Sequence, residues 1–267
     1  MRPDTSSAAA HSDIAALDWT GRVIDASRCS QCAHAALQAQ GGCEIARSCV
    51  QDAYARRIDR FFRSHPALAN AHLGHPYFEV RAIAVRHADP FRVPALLADE
   101  DETVRMQVAL RVSQRLLQRL MHDPHREVRI RVAQRIDVAA LPGLLDDSDY
   151  QVRCIVAQRL PKGLLPRLMH DSDLQVRLAV ARRVPMPALW CMASDRAAEV
   201  RRVVAERLPA TLLHGLASDA DWRVRWDVAG RVSGDLLRQL LADAEPDVRE
   251  RAAERLRALR PVEPRHG

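Results

Sequence analysis

Residues Val152 to Asp173 read VRCIVAQRLPKGLLPRLMHDSD, and the same phrase begins again, with changes, at Val176. A Val-Arg pair starts at Val80, Val104, Val128, Val152, Val176, Val200, Val224 and Val248, every step being 24 residues without an insertion. A fixed period in this range predicts a solenoid, in which each unit buries its apolar face against its neighbours.

With the repeat Val as position 0, apolar residues recur at +4, +5 and +8, as in Val156, Ala157 and Leu160, which is one face of a short helix. Position +9 is Asp, Ser or Pro in the first seven copies, residues that stop a helix or offer its backbone a competing turn. A second apolar set at +12, +13, +16 and +17 (Leu164, Leu165, Leu168 and Met169) has helical spacing again, with room for one or two turns. An Asp follows at +19 in all seven copies, and a second acid usually at +21, where it can cap the next helix. No segment alternates as a half-buried strand does. The expected fold is all-α: a solenoid of 24-residue, two-helix repeats.

Arg stands at +1 in every copy and at +7 in all but the first, where His87 replaces it. Position +1 falls among the apolar positions of the helix, so its stem is expected to be half-buried and its head paired. Two readings follow. One is a ladder of Arg-Asp pairs and caps that fixes repeat to repeat. The other is a basic stripe for phosphates. The charge pattern favours the ladder, because 34 acids are interspersed with 40 basic residues in a chain of net charge +6. Aromatic residues are scarce, which leaves little for stacking bases.

Ahead of the repeats lie Cys29, Cys32, Cys43 and Cys49, spaced C-x2-C-x10-C-x5-C. Four thiols this close together are a metal-site signal, and Gly41-Gly42 lets the backbone wrap around something compact. The spacing suits an iron-sulfur cluster or zinc. His34 reads as a neighbour of the site and not as a ligand, since four Cys complete the set. Val50 to Ser64 reads as a helix, with Val50, Tyr54, Ile58, Phe61 and Phe62 on one face and Arg56, Arg57, Arg60 and Arg63 largely opposite. His72, His75, His122, His125, His170 and His214 fall near turns and read as solvated. Cys154 at +2 reads as a core thiol, and Cys191 at +15 as partly exposed.

The expected organisation is a disordered 1–13, a four-Cys domain over 14–66, the repeats over 67–259 with Val80 to Leu256 as the repeats proper, and a disordered 260–267. The first thirteen residues lack the apolar core of a signal peptide, and no run reaches transmembrane length, so a cytoplasmic location is expected.

The 24-residue V-R-x-x-V-A-x-R-L-P-x-x-L-L-x-x-L-x-x-D-x-D unit, together with the four-Cys segment, resembles the bacterial leucine-rich repeat variant family over nearly the whole chain. The resemblance implies an α-helix alternating with a shorter 3₁₀ helix along a right-handed superhelix. It also implies a [4Fe-4S] cluster on Cys29, Cys32, Cys43 and Cys49, and no catalytic residues. Arg92, Ala140 and Ala188, at the first Leu of the second helix, depart from the pattern.

The sequence shows no Ser/His/Asp constellation, Gly-rich phosphate loop or His-carboxylate metal cluster, and no small-molecule site is evident. The expected function is a non-catalytic scaffold for a protein partner, with the cluster in a redox, sensing or structural role. The alternative is a nucleic-acid-binding solenoid in which zinc or iron-sulfur is purely structural.

Overall fold

The computed structural model describes residues 14–259. The two expected disordered ends lie outside the described residues. The chain divides into two compact units between Ile136 and Asp137.

Both units are built from one two-helix repeat, and among the described residues only isolated bridges occur outside helices and turns. The first helix of a repeat runs Phe78–His87, Glu102–Arg111 and Arg126–Arg135 in the first unit. In the second it runs Tyr150–Arg159, Leu174–Ala181, Ala198–Arg207, Trp222–Ala229 and Pro246–Ala258. Every repeat Val is fully buried, as are the small residues four and five positions on in the first seven repeats, such as Val108 with Ala109 and Val156 with Ala157. Each buried Val contributes about 1.5–3 kcal/mol of transfer free energy.

The second helix varies with position +14. Pro94, Pro142 and Pro166 occupy it in Val93–Leu96, Val138–Leu144 and Lys162–Leu168, all of which are 3₁₀ helices. Inside the last two, proline cannot donate to the carbonyl four residues back, so the α-helical ladder is unavailable there. Where Gln118, Trp190 or Arg238 stands at +14, the segment opens with an α-turn: Gln114–Leu117, Ala188–Cys191 and Gly234–Leu240. Ala210–Leu216, with His214 at +14, stays 3₁₀ without a proline, and nothing in its contacts explains that. The half-repeat ahead of Val80 is likewise a 3₁₀ helix, Pro66–His72, with Ala69 buried.

The repeated arginines are structural. Arg153 donates from Nε and Nη2 to both carboxylate oxygens of Asp171, at 2.7 and 2.8 Å. Its Nη1 reaches the carbonyl of Asp147, the +19 residue of the preceding repeat, at 2.7 Å. Arg81 grips Asp99 and Arg105 grips Asp123 in the same fork in the first unit. Arg177, Arg201 and Arg225 repeat it in the second, with Asp195, Asp219 and Asp243. So the fork lies within one repeat, and the third donor makes the link to the repeat before. Two parallel charge-assisted bonds per rung give geometric specificity as well as energy. The arginine at +7 serves the same link from the other side. Arg111 donates to the Val85 and Ala88 carbonyls, Arg207 to those of Ala181 and Val184, and Arg231 to that of Ala205. These are the orphan carbonyls at the end of the preceding helix, where a cation is favoured.

Helix starts follow the +21 acid. Asp101, Asp149, Asp173 and Asp221 each accept from the backbone N–H two residues on, at 2.7–2.9 Å. His125, Ala197 and Glu245 hold that position elsewhere and make no such side-chain bond.

Candidate metal centre

The first unit begins with a short crossed connection. Ile24 N donates to Ala16 O and Ala53 N to Leu17 O, both within 2.9 Å. Asp18 lies at the crossing, 3% exposed, and accepts from Thr20 and Arg22 backbone N–H groups, from the Thr20 hydroxyl and from Arg28. Burial works against its charge, but these four donors outweigh it and hold the carboxyl far below the ordinary carboxylate range.

Asp25 caps the Ala26–Ser30 helix by accepting from Arg28 N at 3.0 Å, which sets Cys29 on the last turn. Cys32 follows one turn on, its N–H reaching Cys29 O at 3.2 Å. After the Ala35–Ala39 helix the chain reverses at Gly41, whose φ of +74° belongs to the left-handed region that favours glycine. Gly42 N then closes on Leu37 O, and a Cβ at Gly42 would meet Leu37 Cδ1 at 2.5 Å. This turn returns Cys43 toward Cys29 and Cys32. A tight Glu44 to Ser48 turn, with Ala46 at φ +62°, delivers Cys49, whose N–H reaches Arg57 O.

The result is one cavity of about 300 Å³ lined by all four cysteines, with Ile24, His34 and Phe61 among its walls. The four thiols predicted from the sequence are therefore together. Burial pushes the Cys29 and Cys43 thiols up, and their cysteine neighbours add to it. Cys49 is pushed up to about 11, mainly by burial, with Asp52, Cys29 and Cys43 contributing. Such thiols stay protonated at neutral pH unless positive charge enters the cavity, which is what a metal centre supplies. Among the described residues, no three His, Cys, Asp or Glu side chains group tightly enough to hold a single metal ion.

The helix expected from Val50 starts only at Ala55. Asp52 explains this: its carboxylate accepts from Tyr54 N at 2.8 Å and fixes a turn in front of the helix. Arg57, expected on the solvent face, is 1% exposed. Its guanidinium donates to Asp52 at 2.9 Å, to Ala15 O at 3.1 Å and to Ile14 O. It thereby ties the start of the described chain to the helix behind the cysteines. His72, read as a solvated turn residue, is 8% exposed. Its Nε2 lies 3.1 Å from His34 Nε2 and its Nδ1 3.0 Å from Leu68 O. His34 also packs on Phe61, and burial lowers its pKa, with His72 and His65 adding to the effect. A hydrogen-bonded pair of imidazoles thus joins the cavity wall to the first half-repeat. Phe61 and Phe62 are fully buried, and both rings pack on His72 of that half-repeat. Cys154 is buried and Cys191 exposed, both free and apart from the cavity.

Fold and site together define a helical-repeat protein carrying a thiol-lined N-terminal centre. The comparisons with known proteins agree. The sequence pattern described as an LRV protein FeS4 cluster matches residues 16–71, and that described as a leucine rich repeat variant matches residues 150–173. A solved structure of a leucine-rich repeat variant with a novel repetitive structural motif is 42% identical, with a TM-score of 0.82 over 85% of this chain and 97% of that one. The chain belongs to the leucine-rich repeat variant family. An uncharacterized 27.7 kDa protein of the nifB 3' region of Rhodobacter capsulatus is 49% identical over 96 residues, 36% of this chain. The match spans 38% of that relative's length.

Proposed function

We propose that the chain is a non-catalytic docking scaffold whose repeats present a surface to a protein partner, and whose N-terminal centre is a [4Fe-4S] cluster in redox service. The observation that carries this is the single cavity lined by Cys29, Cys32, Cys43 and Cys49, set against the helix on which the first half-repeat packs. Those four residues would hold the cluster, which when bound accepts and donates single electrons. The buried surround would tune its potential, and the Cys32 sulfur already receives the His34 backbone N–H at 3.5 Å. We place residues 14–66 as the cluster domain and 67–259 as the scaffold, in a cytoplasmic setting where thiols stay reduced. Among the described residues no helix is long and apolar enough to cross a membrane.

The nucleic-acid reading has less support, because the recurring arginines at +1 and +7 are committed to aspartates and carbonyls. Anaerobic purification followed by iron, sulfide and zinc analysis with a visible spectrum tests the proposal. The expected result is about four irons and four sulfides per chain, lost in Cys43→Ser. One zinc and no iron would overturn it.

A further inference from the structure

The arginines of the first unit fall into two populations. Those of the repeat ladder have their heads buried on carboxylates and carbonyls. Beside the cysteines Arg57 is buried in the same way, but four others there stand on an exposed face. Arg56, Arg60 and Arg63 are spaced four and three residues apart on the Ala55–Ser64 helix, so they share one face, and all three are exposed. Arg47 projects from the turn between Cys43 and Cys49, with its side chain 70% exposed, and Arg63 is 71% exposed. Arg60 draws the two elements together by donating to Arg47 O at 3.4 Å. Between helix and turn runs a groove of about 430 Å³ lined by Gly42, Cys43, Arg47, Ser48, Arg60 and Arg63. Two acids dilute the face: Glu44 pairs with Arg47 at 3.0 Å, and Asp59 sits between Arg63 and Arg86. Four arginines against two acids leave it cationic.

The groove shares Cys43 with the thiol cavity. It is therefore the cationic approach to the metal centre. Its chemistry also bears on the kind of partner. Phe61 and Phe62 are fully buried, so the helix offers no ring on which a base could stack. A short patch of solvent-facing guanidinium groups suits carboxylates on a folded surface, where opposite charge steers encounter and fixes orientation.

We propose that this face, Arg47, Arg56, Arg60 and Arg63 around Cys43, docks a small acidic protein carrying a one-electron cofactor, flavin or iron-sulfur. The assignment of a redox partner rests on the cluster reading above; the cationic groove does not. One electron leaves the partner's reduced carrier and one enters the centre held by the four cysteines. No bond is made or broken.

The test uses the full chain as isolated anaerobically, titrated with a purified flavodoxin and, separately, with a plant-type ferredoxin. Binding to at least one should weaken about tenfold or more between roughly 0.02 and 0.2 M salt. The charge-reversal variant R47E/R60E/R63E should lose binding at low salt. The milder R56Q/R60Q/R63Q should weaken it roughly tenfold while keeping wild-type circular dichroism. R115E/R119E, on exposed repeat positions, should bind as the wild type does. Absence of salt-sensitive binding to both probes overturns the proposal. So does equal loss in the repeat variant, or stronger capture of a 20-nucleotide RNA by the same arginines. Iron and sulfide are measured on the same samples. Iron-loaded chain that ignores both probes sinks the docking face and leaves the cluster. Iron-free chain that still binds through these arginines sinks the redox assignment and leaves a cationic face.

Discussion

The cysteine region and the repeats are held together by opposite strategies. Ahead of Pro66 nothing recurs: Asp18 with four donors, Arg57 with one carboxylate and two carbonyls, and four thiols around a cavity are each unique. From Val80 onward the same contacts return every 24 residues, and no single rung is indispensable to the rest. Where every interaction is different, each must be in place for any of the others to hold. Where interactions repeat, stability is close to a sum of similar terms.

The sharpest way to break this comparison is to strip the metal centre. Chelation under reducing conditions should abolish amide protection across residues 14–65, while the helices from Tyr150 onward keep theirs in residue-resolved hydrogen exchange. Uniform loss would show that the two regions do not differ. Next in size is Arg57→Ala, which leaves Asp52 buried and unpaired; it should cost about 3–5 kcal/mol in the first unit. A single rung should cost less. Arg153→Ala is expected to cost about 1.5–3 kcal/mol by denaturant titration, and Arg153→Lys to recover only part, because an ammonium cannot make the fork.

Acid sharpens the comparison further. Burial would raise the Asp171 carboxyl, but Arg153 and the Asp173 N–H outweigh it; at Asp243 the Arg225 fork leads, and both carboxyls titrate below the usual range. Their contribution is therefore complete above the unfolded value of about 3.9 and is lost as pH falls through the lower folded values. Repeat stability should decline below about pH 4, and Asp171→Asn should flatten that decline. The smallest effects belong to helix capping. Asp149→Ala should cost about 1 kcal/mol, and Ala197→Asp, at a helix start without a side-chain bond, should gain a similar amount.

The repeats were the more legible region for the same reason that they are the more redundant one. Eight copies average away local accidents, so Val at 0, Arg at +1 and Asp at +19 stood out, and the structure makes them core and rung. The four cysteines were legible because few other roles suit that spacing. Arg57 was not. Its burial depends on carbonyls at Ile14 and Ala15, more than forty residues away and without any periodic signal. The one available hint was its position four residues before Phe61, on the buried side of the helix. The late start at Ala55 was hidden for a similar reason, since Val50 and Tyr54 fit the helical spacing and only the Asp52 turn displaces them. The His34–His72 pair joins two segments that the sequence gives no reason to associate.

The arginine at +7 has a consequence for how such a chain can change length. Each one closes the end of the helix in the repeat before it, while the third donor of each +1 arginine reaches the turn just behind. The contacts therefore point backward along the chain at fixed offsets. A whole repeat can be added or removed and every arginine still finds a partner of the right kind. A gain or loss of any other length misplaces both links at once. Removal of residues 176–199 should leave a folded second unit, whereas removal of one residue fewer should not. Variation in this architecture is thus counted in whole repeats, as text is edited by the word and not by the letter.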